Sequence, residues 1–197
     1  MPAYFATADD GIGLDASRGC VNSYLTTFAP ELWPDLAENW FQRYVKHFWQ
    51  EKGYGVGFRE FGQGEISSTG NLDSGPIIDG FGVAATAFGL SVCRANGRYD
   101  MGYPLSAQIM VATWPIPFGG LLLPRILSNP HPPLVGEASV VYQLSQGPRE
   151  GEGRQVVPGK GRLPYAVYVG IAVYGVIGLG FSVWGLRWVL ARRRAPR

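Results

Sequence analysis

Leu163–Leu186 reads LPYAVYVGIAVYGVIGLGFSVWGL, 24 residues without a charged side chain. A bilayer's hydrocarbon core takes about 20 apolar residues in helical form to cross. In lipid a helix satisfies its own backbone hydrogen bonds. The stretch therefore predicts a membrane-spanning helix, because the core helix of a soluble protein seldom stays uncharged this long. Tyr165, Tyr168 and Tyr174 lie toward one end and Trp184 and Trp188 toward the other, as expected for aromatic rings at headgroup level. Arg192, Arg193, Arg194 and Arg197 follow, a topology signal and a contact for anionic headgroups. Gly170, Gly178 and Gly185, with Ala166, form a small-residue ladder that admits another helix.

Outside this segment about 160 residues remain, enough to bury a core. Lys and Arg total 17 against 15 Asp and Glu, for a net charge of +2. Apart from the terminal arginines the basic residues form no nucleic-acid footprint, so the bilayer is the expected partner and nucleic acid is not. Cys20 and Cys93 show neither metal spacing nor CxxC. They read as two small buried side chains, their pairing left open. The start, MPAYFATADDGIGLD, has no basic region and no apolar run, so it is not a signal peptide. Slightly more positive charge follows the anchor (Arg187, Arg192, Arg193, Arg194, Arg197) than precedes it (Arg149, Arg154, Lys160, Arg162). That bias favours a cytoplasmic tail and an outer domain. The missing export signal pulls the other way. It points to a cytoplasm-facing tail anchor or to the last piece of a longer membrane protein, and the side of the helical domain stays open.

The 28 glycines and 15 prolines imply long connections and tight turns. Pro30 to Gly53 predicts a helix with Trp33, Leu36, Trp40, Tyr44 and Phe48 on its apolar face. Pro30 or Pro34 suits its first turn and Gly53 its cap. Val21–Phe28 reads as the preceding helix, and residues 54–72 as a glycine-rich loop. Gly75–Asn96 reads as a second substantial helix with Pro76 in its first turn and Gly97 as cap, and Tyr103–Thr113 as a third. Met101–Pro124 is charge-free, but Pro115 and Pro117 interrupt it. It reads as a buried helix ending in an irregular turn, with a re-entrant or spanning segment as the alternative. Pro133–Gln146 is a further helix, and Gly147–Arg162 a polar, flexible linker. The fold expected is all-α: α/α hairpins over residues 1–146, a linker over 147–162, a transmembrane helix over 163–190 and a basic tail over 191–197.

Three polar signals are candidates for chemistry. Asp9, Asp10 and Asp15 with Ser17 and Arg18 precede the first helix, and they also read as a solvated tail. Arg59 and Glu60 sit among aromatic residues in GFREF, where an ion pair or backbone clamp is the competing reading. Asp73 and Ser74 open LDSGP, where an N-cap role competes. His131, among prolines, reads as a loop residue. Carboxylates on loops at one rim of a helical domain suit general acid and base work. No phosphate loop, zinc spacing, GxSxG elbow or dinucleotide fingerprint is present, so neither a metal nor a cofactor is expected.

The order RGC, an aromatic helix ending KHFW, then GFREF, then LDSGPIIDGFGVAATAFGL, resembles the later part of an α/α-toroid domain. It is similar to linalool dehydratase/isomerase-like and six-hairpin glycosidase-like proteins, over about residues 9–146. The resemblance implies an active-site pocket ringed by inner-helix ends, with Arg59, Glu60, Asp73 and Ser74 at its rim. Of these, the carboxylates Glu60 and Asp73 are the catalytic acid/base candidates and Arg59 and Ser74 the substrate-binding ones. It implies a glycan or isoprenoid-like substrate. The chain has room for only part of such a toroid, so its apolar helix faces call for a second copy or another chain. A non-catalytic membrane subunit that binds a partner through those faces is the alternative.

Overall fold

The computed structural model describes residues 1, 8–9, 16–64, 75–116, 120–122, 124, 135–149, 156–159 and 162–194. The order of elements is α1 (Gly19–Leu32), α2 (Pro34–Phe48), β1 (Trp49–Lys52), β2 (Gly55–Phe58), β3 (Ile77–Ile78), β4 (Phe81–Gly82), α3 (Val83–Ala95), α4 (Tyr99–Ala112), β5 (Trp114–Ile116), β6 (Gly120–Leu122), α5 (Val135–Ser145) and α6 (Tyr165–Arg194). The protein is mostly helical. The expectation of an all-α chain needs correction, however, because the strands pair into three antiparallel hairpins, β1–β2, β3–β4 and β5–β6.

The expected helix from Pro30 to Gly53 is two elements. Trp33 leaves the helical region (φ −144°, ψ 68°) and Pro34 starts α2 at its first position. Proline disfavours helical backbone in the residue before it, which sets the break. Pro30 lies instead inside α1. Lacking an N–H, it leaves the Thr26 carbonyl four residues back without its helical donor. Asn96 fills the gap: its Nδ2 donates to Thr26 O at 3.1 Å. The buried stripe of α2 is Ala37, Phe41, Tyr44 and Phe48. Tyr44 and Phe48 fall on the expected face, but Trp33 and Leu36 are exposed, and Trp33 stacks on Trp40 at 6.0 Å between ring centroids.

The expected helix from Gly75 to Asn96 also divides. Ile77–Ile78 and Phe81–Gly82 pair around Asp79 and Gly80, both at positive φ (51° and 84°). Two left-handed residues make the tight turn whose twist matches antiparallel strands, and Asp-Gly is a favoured pair for it. Helix α3 begins only at Val83. Gly97, at φ 69°, follows its C-cap Asn96 as expected.

Residues 54–72, read as loop, contain strand β2. Trp49 pairs with Phe58 and Lys52 with Gly55, and all four residues of β2 are buried. A two-stranded hairpin is marginal alone, so its outer edge needs partners. Gln108 of α4 supplies them at Val56, accepting from its N–H and donating to its carbonyl, both at 3.0 Å. Thr86 of α3 does the same at Phe58, at 3.1 and 3.3 Å. Helices α1, α2 and α3 pack together, α3 also contacts α4 and α5, and α4 contacts α6. Phe41, Tyr44, Phe48, Phe58, Leu90, Val92, Cys93 and Leu105 fill the core between them.

The described parts of 147–162 lie against the domain. Arg149 N–H donates to Ala95 O at 3.0 Å, Val157 N–H to Gly97 O at 2.8 Å, and Tyr99 N–H to Val157 O at 3.0 Å. Helix α6 then starts under the β1–β2 turn. Tyr165 N–H donates to Gly53 O at 3.2 Å and Ala166 N–H to Tyr54 O at 3.1 Å, which satisfies two of the N–H groups a helix start leaves open. Gly170 lies so close to α4 that a Cβ there would meet the Val111 side chain at 2.9 Å. The Tyr174 hydroxyl reaches the carbonyls of Val111 and Thr113 at 3.0 and 2.9 Å. Beyond Tyr174 nearly every described side chain of α6 is exposed. Among the described residues, α6 is the one helix long and apolar enough to cross a membrane.

Candidate functional site

The loop after β2 carries Arg59, Glu60 and Phe61 back to the start of α1. Arg59 bridges to Phe81 of β4, and Phe61 bridges to Arg18. Glu60 lies between these bridges and is fully buried. Its carbonyl accepts from Gly19 N–H at 2.7 Å. Its carboxyl oxygens accept from Cys20, Oε2 from the N–H at 3.3 Å and Oε1 from Sγ at 2.9 Å. No side chain at Arg18 caps α1. Glu60, forty residues along the chain, takes that place: a carboxyl at the end where open N–H groups and the helix dipole favour negative charge.

Glycines permit the approach. A Cβ on Gly19 would collide with the Arg59 carbonyl oxygen, and one on Gly82 would press on the Glu60 backbone and Cβ at 3.0 Å. Burial pushes the Glu60 carboxyl above its ordinary range, while the Cys20 hydrogen bonds and the Arg18 charge pull it back. Burial likewise pushes the Cys20 thiol far up, and the neighbouring Glu60 adds to the rise. The thiol therefore keeps its proton and donates it. Glu60 and Cys20 form a buried unit in which the thiol donates to a carboxyl that burial biases toward the acid form.

Arg59 is partly spent on architecture. Its N–H donates to Phe48 O at 2.8 Å, and its Nη1 donates to Trp49 O at 3.1 Å. These contacts match the backbone-clamp reading. A half-open cleft of about 210 Å³ lies alongside, lined by Arg59, Glu60, Phe61, Gln63, Ile77 and Gly80 among others. The structure thus brings Arg59 and Glu60 to one cleft. Asp73, Ser74, Asp10, Asp15 and His131 lie outside the described residues. Asp79, which falls within the stretch expected to be helical, is instead on the β3–β4 turn, where the Tyr54 hydroxyl and the Lys52 ammonium meet it.

Sequence reasoning passed over two participants. Cys20, expected to be a small buried side chain, is buried with a free thiol, as is Cys93, but it also holds the carboxyl. Beside it, Ser23 Oγ lies 2.8 Å from the Tyr44 hydroxyl and donates to Gly19 O at 2.6 Å. A separation of forty residues carries no periodic signal, so nothing in the spacing joins Cys20 to Glu60. Among the described residues no group of three His, Cys, Asp or Glu is placed to hold a metal ion. No family model, no curated protein and no solved structure matches this chain.

Proposed function

We propose that this is a membrane-anchored helical protein whose domain rests directly on the bilayer. The observation that carries this is α6. Its first ten residues are bound to α4 and the β1–β2 turn, and the rest presents apolar side chains to the surroundings, among them Val176, Leu179, Phe181 and Trp184. An apolar surface of that length is stable only against lipid or protein. Protease treatment of intact cells or spheroplasts, with a tag at the carboxyl terminus, tests the arrangement. Cleavage of the domain on one side with the tag protected on the other supports it. Simultaneous loss of domain and tag from one side contradicts it.

Within that frame we favour acid/base chemistry of the α/α-toroid kind, on a glycan or an isoprenoid-like molecule, with this chain as a segment or relative of such an enzyme. Its support is Glu60, a buried carboxyl held toward its acid form beside a cleft, which is the condition a general acid needs. Asp73 would be its counterpart, and Arg59 and Ser74 would hold a hydroxyl or an anionic group. Turnover of isoprenoid alcohols and oligosaccharides by the full chain, wild type against Glu60→Gln and Asp73→Asn, tests this. Product lost while the domain stays folded supports it. A lowered melting temperature with no wild-type product favours the second reading, a non-catalytic subunit. That reading draws on the exposed corner of Leu32, Trp33 and Leu36, an apolar surface suited to a second copy or another chain.

A further inference from the structure

We infer that the β5–β6 hairpin is a second membrane contact, lying at the headgroup–acyl boundary beside α6. The inference rests on the anchored reading of α6 and adds a lipid-binding element to it. Depth gives the first argument. A span of about 20 residues that ends at Leu186 begins near Val167, and one that ends at Leu190 begins near Ile171. Tyr174 is then three to seven residues inside the entry, about 5–10 Å at 1.5 Å per residue. Its hydroxyl holds the carbonyls of Val111 and Thr113, so the end of α4 and the start of β5 lie at that depth too.

The direction of the two helices agrees. Gln108 is level with Val56 in the hairpin under which α6 begins, Val111 is level with Gly170, and Thr113 with Tyr174. Both chains thus advance the same way, and the hairpin follows where α4 stops. Composition gives the second argument. Met101–Pro124 has no charged residue, and the hairpin strands are Trp-Pro-Ile and Gly-Leu-Leu. Met110, near the end of α4, is an exposed apolar side chain on the same stretch.

Hydrogen bonding limits how deep the hairpin goes. Backbone carbonyls at a helix end are open acceptors, and in lipid each unpaired group costs several kcal/mol. The Tyr174 hydroxyl, within reach of both the Val111 and Thr113 carbonyls, has one proton and serves one of them at a time. Strand pairing from Trp114↔Leu122 to Ile116↔Gly120 satisfies the inner edges of the hairpin, and Pro115 has no N–H to bury. Strand β6 lies against α5, and the outer edge of β5 still needs water or headgroups, so the hairpin rests at the boundary and does not cross the core.

Single fluorophores placed by Leu121→Cys and, separately, Phe181→Cys in the full chain test this. The chain is reconstituted into phosphatidylcholine/phosphatidylglycerol vesicles that carry bromine either near the headgroup or near the acyl-chain end. Cys20 and Cys93 are buried, and the unsubstituted chain measures any background labelling. Leu122→Cys repeats the hairpin reading one residue on, should Leu121→Cys disturb folding. The expected result is loss of emission at 121 mainly to shallow bromine and at 181 mainly to deep bromine. Deep quenching at 181 with none at 121 or 122 overturns the hairpin contact and leaves the anchor standing. Deep quenching at 121 equal to that at 181 overturns the boundary position. Quenching at neither site overturns hairpin and anchor together, and quenching at 121 alone removes the anchor and with it the depth argument, which overturns the inference as well.

Discussion

Glu60 and Cys20 set the chemistry at residue scale. The Glu60 carboxyl is raised by burial, so the folded state holds a proton that the unfolded chain releases at lower pH. Its stabilising share is complete below the ordinary carboxylate value of about 4.5 and is lost as pH rises through the raised folded value. Glu60→Gln keeps an acceptor for Cys20 and removes the titration. Melting temperature against pH should therefore fall less steeply above pH 5 for Glu60→Gln than for wild type, and parallel curves would refute the assignment. Asn96 makes a separate case. Its amide covers the carbonyl that Pro30 leaves open, and the residue is 3% exposed. Asn96→Ala strands that buried carbonyl and should cost about 2 kcal/mol in denaturant unfolding. The proline was plain in the sequence, but the donor that Asn96 brings to the Thr26 carbonyl from seventy residues away was not. Local pattern shows where a backbone group loses its partner and cannot show which distant side chain replaces it.

At the scale of elements, what periodicity governs was legible and what tertiary contact governs was not. The helices near Val21, Tyr44, Leu90, Ala107, Val140 and Ile177 are all legible in the sequence, because apolar spacing and length are properties of the segment itself. Their ends moved where backbone chemistry intervened, at Trp33-Pro34 and at Asp79-Gly80. The Asp-Gly pair between Ile78 and Phe81 was a readable hairpin signal, outweighed by the glycine- and alanine-rich run that follows it. Strand β2 was illegible for a different reason: it exists because Gln108 and Thr86 hold its edge from two helices. Gln108→Leu leaves the Val56 N–H and carbonyl without partners in a partly buried site. It should cost about 3 kcal/mol, measured by urea unfolding, with loss of amide protection at Val56. An unchanged stability would mean the hairpin stands without its clamp. Of the candidate site, Arg59 and Glu60 could be read from their setting between aromatic residues. The capping of α1 by Glu60 could not.

At the scale of the whole molecule, the anchor proposed above makes α6 one continuous joint between the helical domain and the bilayer. The joint is narrow at Gly170, where α4 and α6 nearly touch. Gly170→Leu inserts a side chain into that contact, at about 1–3 kcal/mol for overpacking. It should separate the two helices and leave the core of Phe41, Tyr44 and Phe58 in place. Trypsin cleavage after Arg162 should then speed up with little change in domain melting, and an unchanged cleavage rate would argue against the docked joint. Everything placed at the membrane, the hairpin included, depends on α6 being in lipid. The most direct test is alkaline carbonate extraction of membranes from cells that express the full chain, which strips peripheral proteins and leaves spanning ones. The account predicts that the chain stays in the membrane pellet. Release of the folded chain into the supernatant would contradict it, and would mean that α6 is covered by protein.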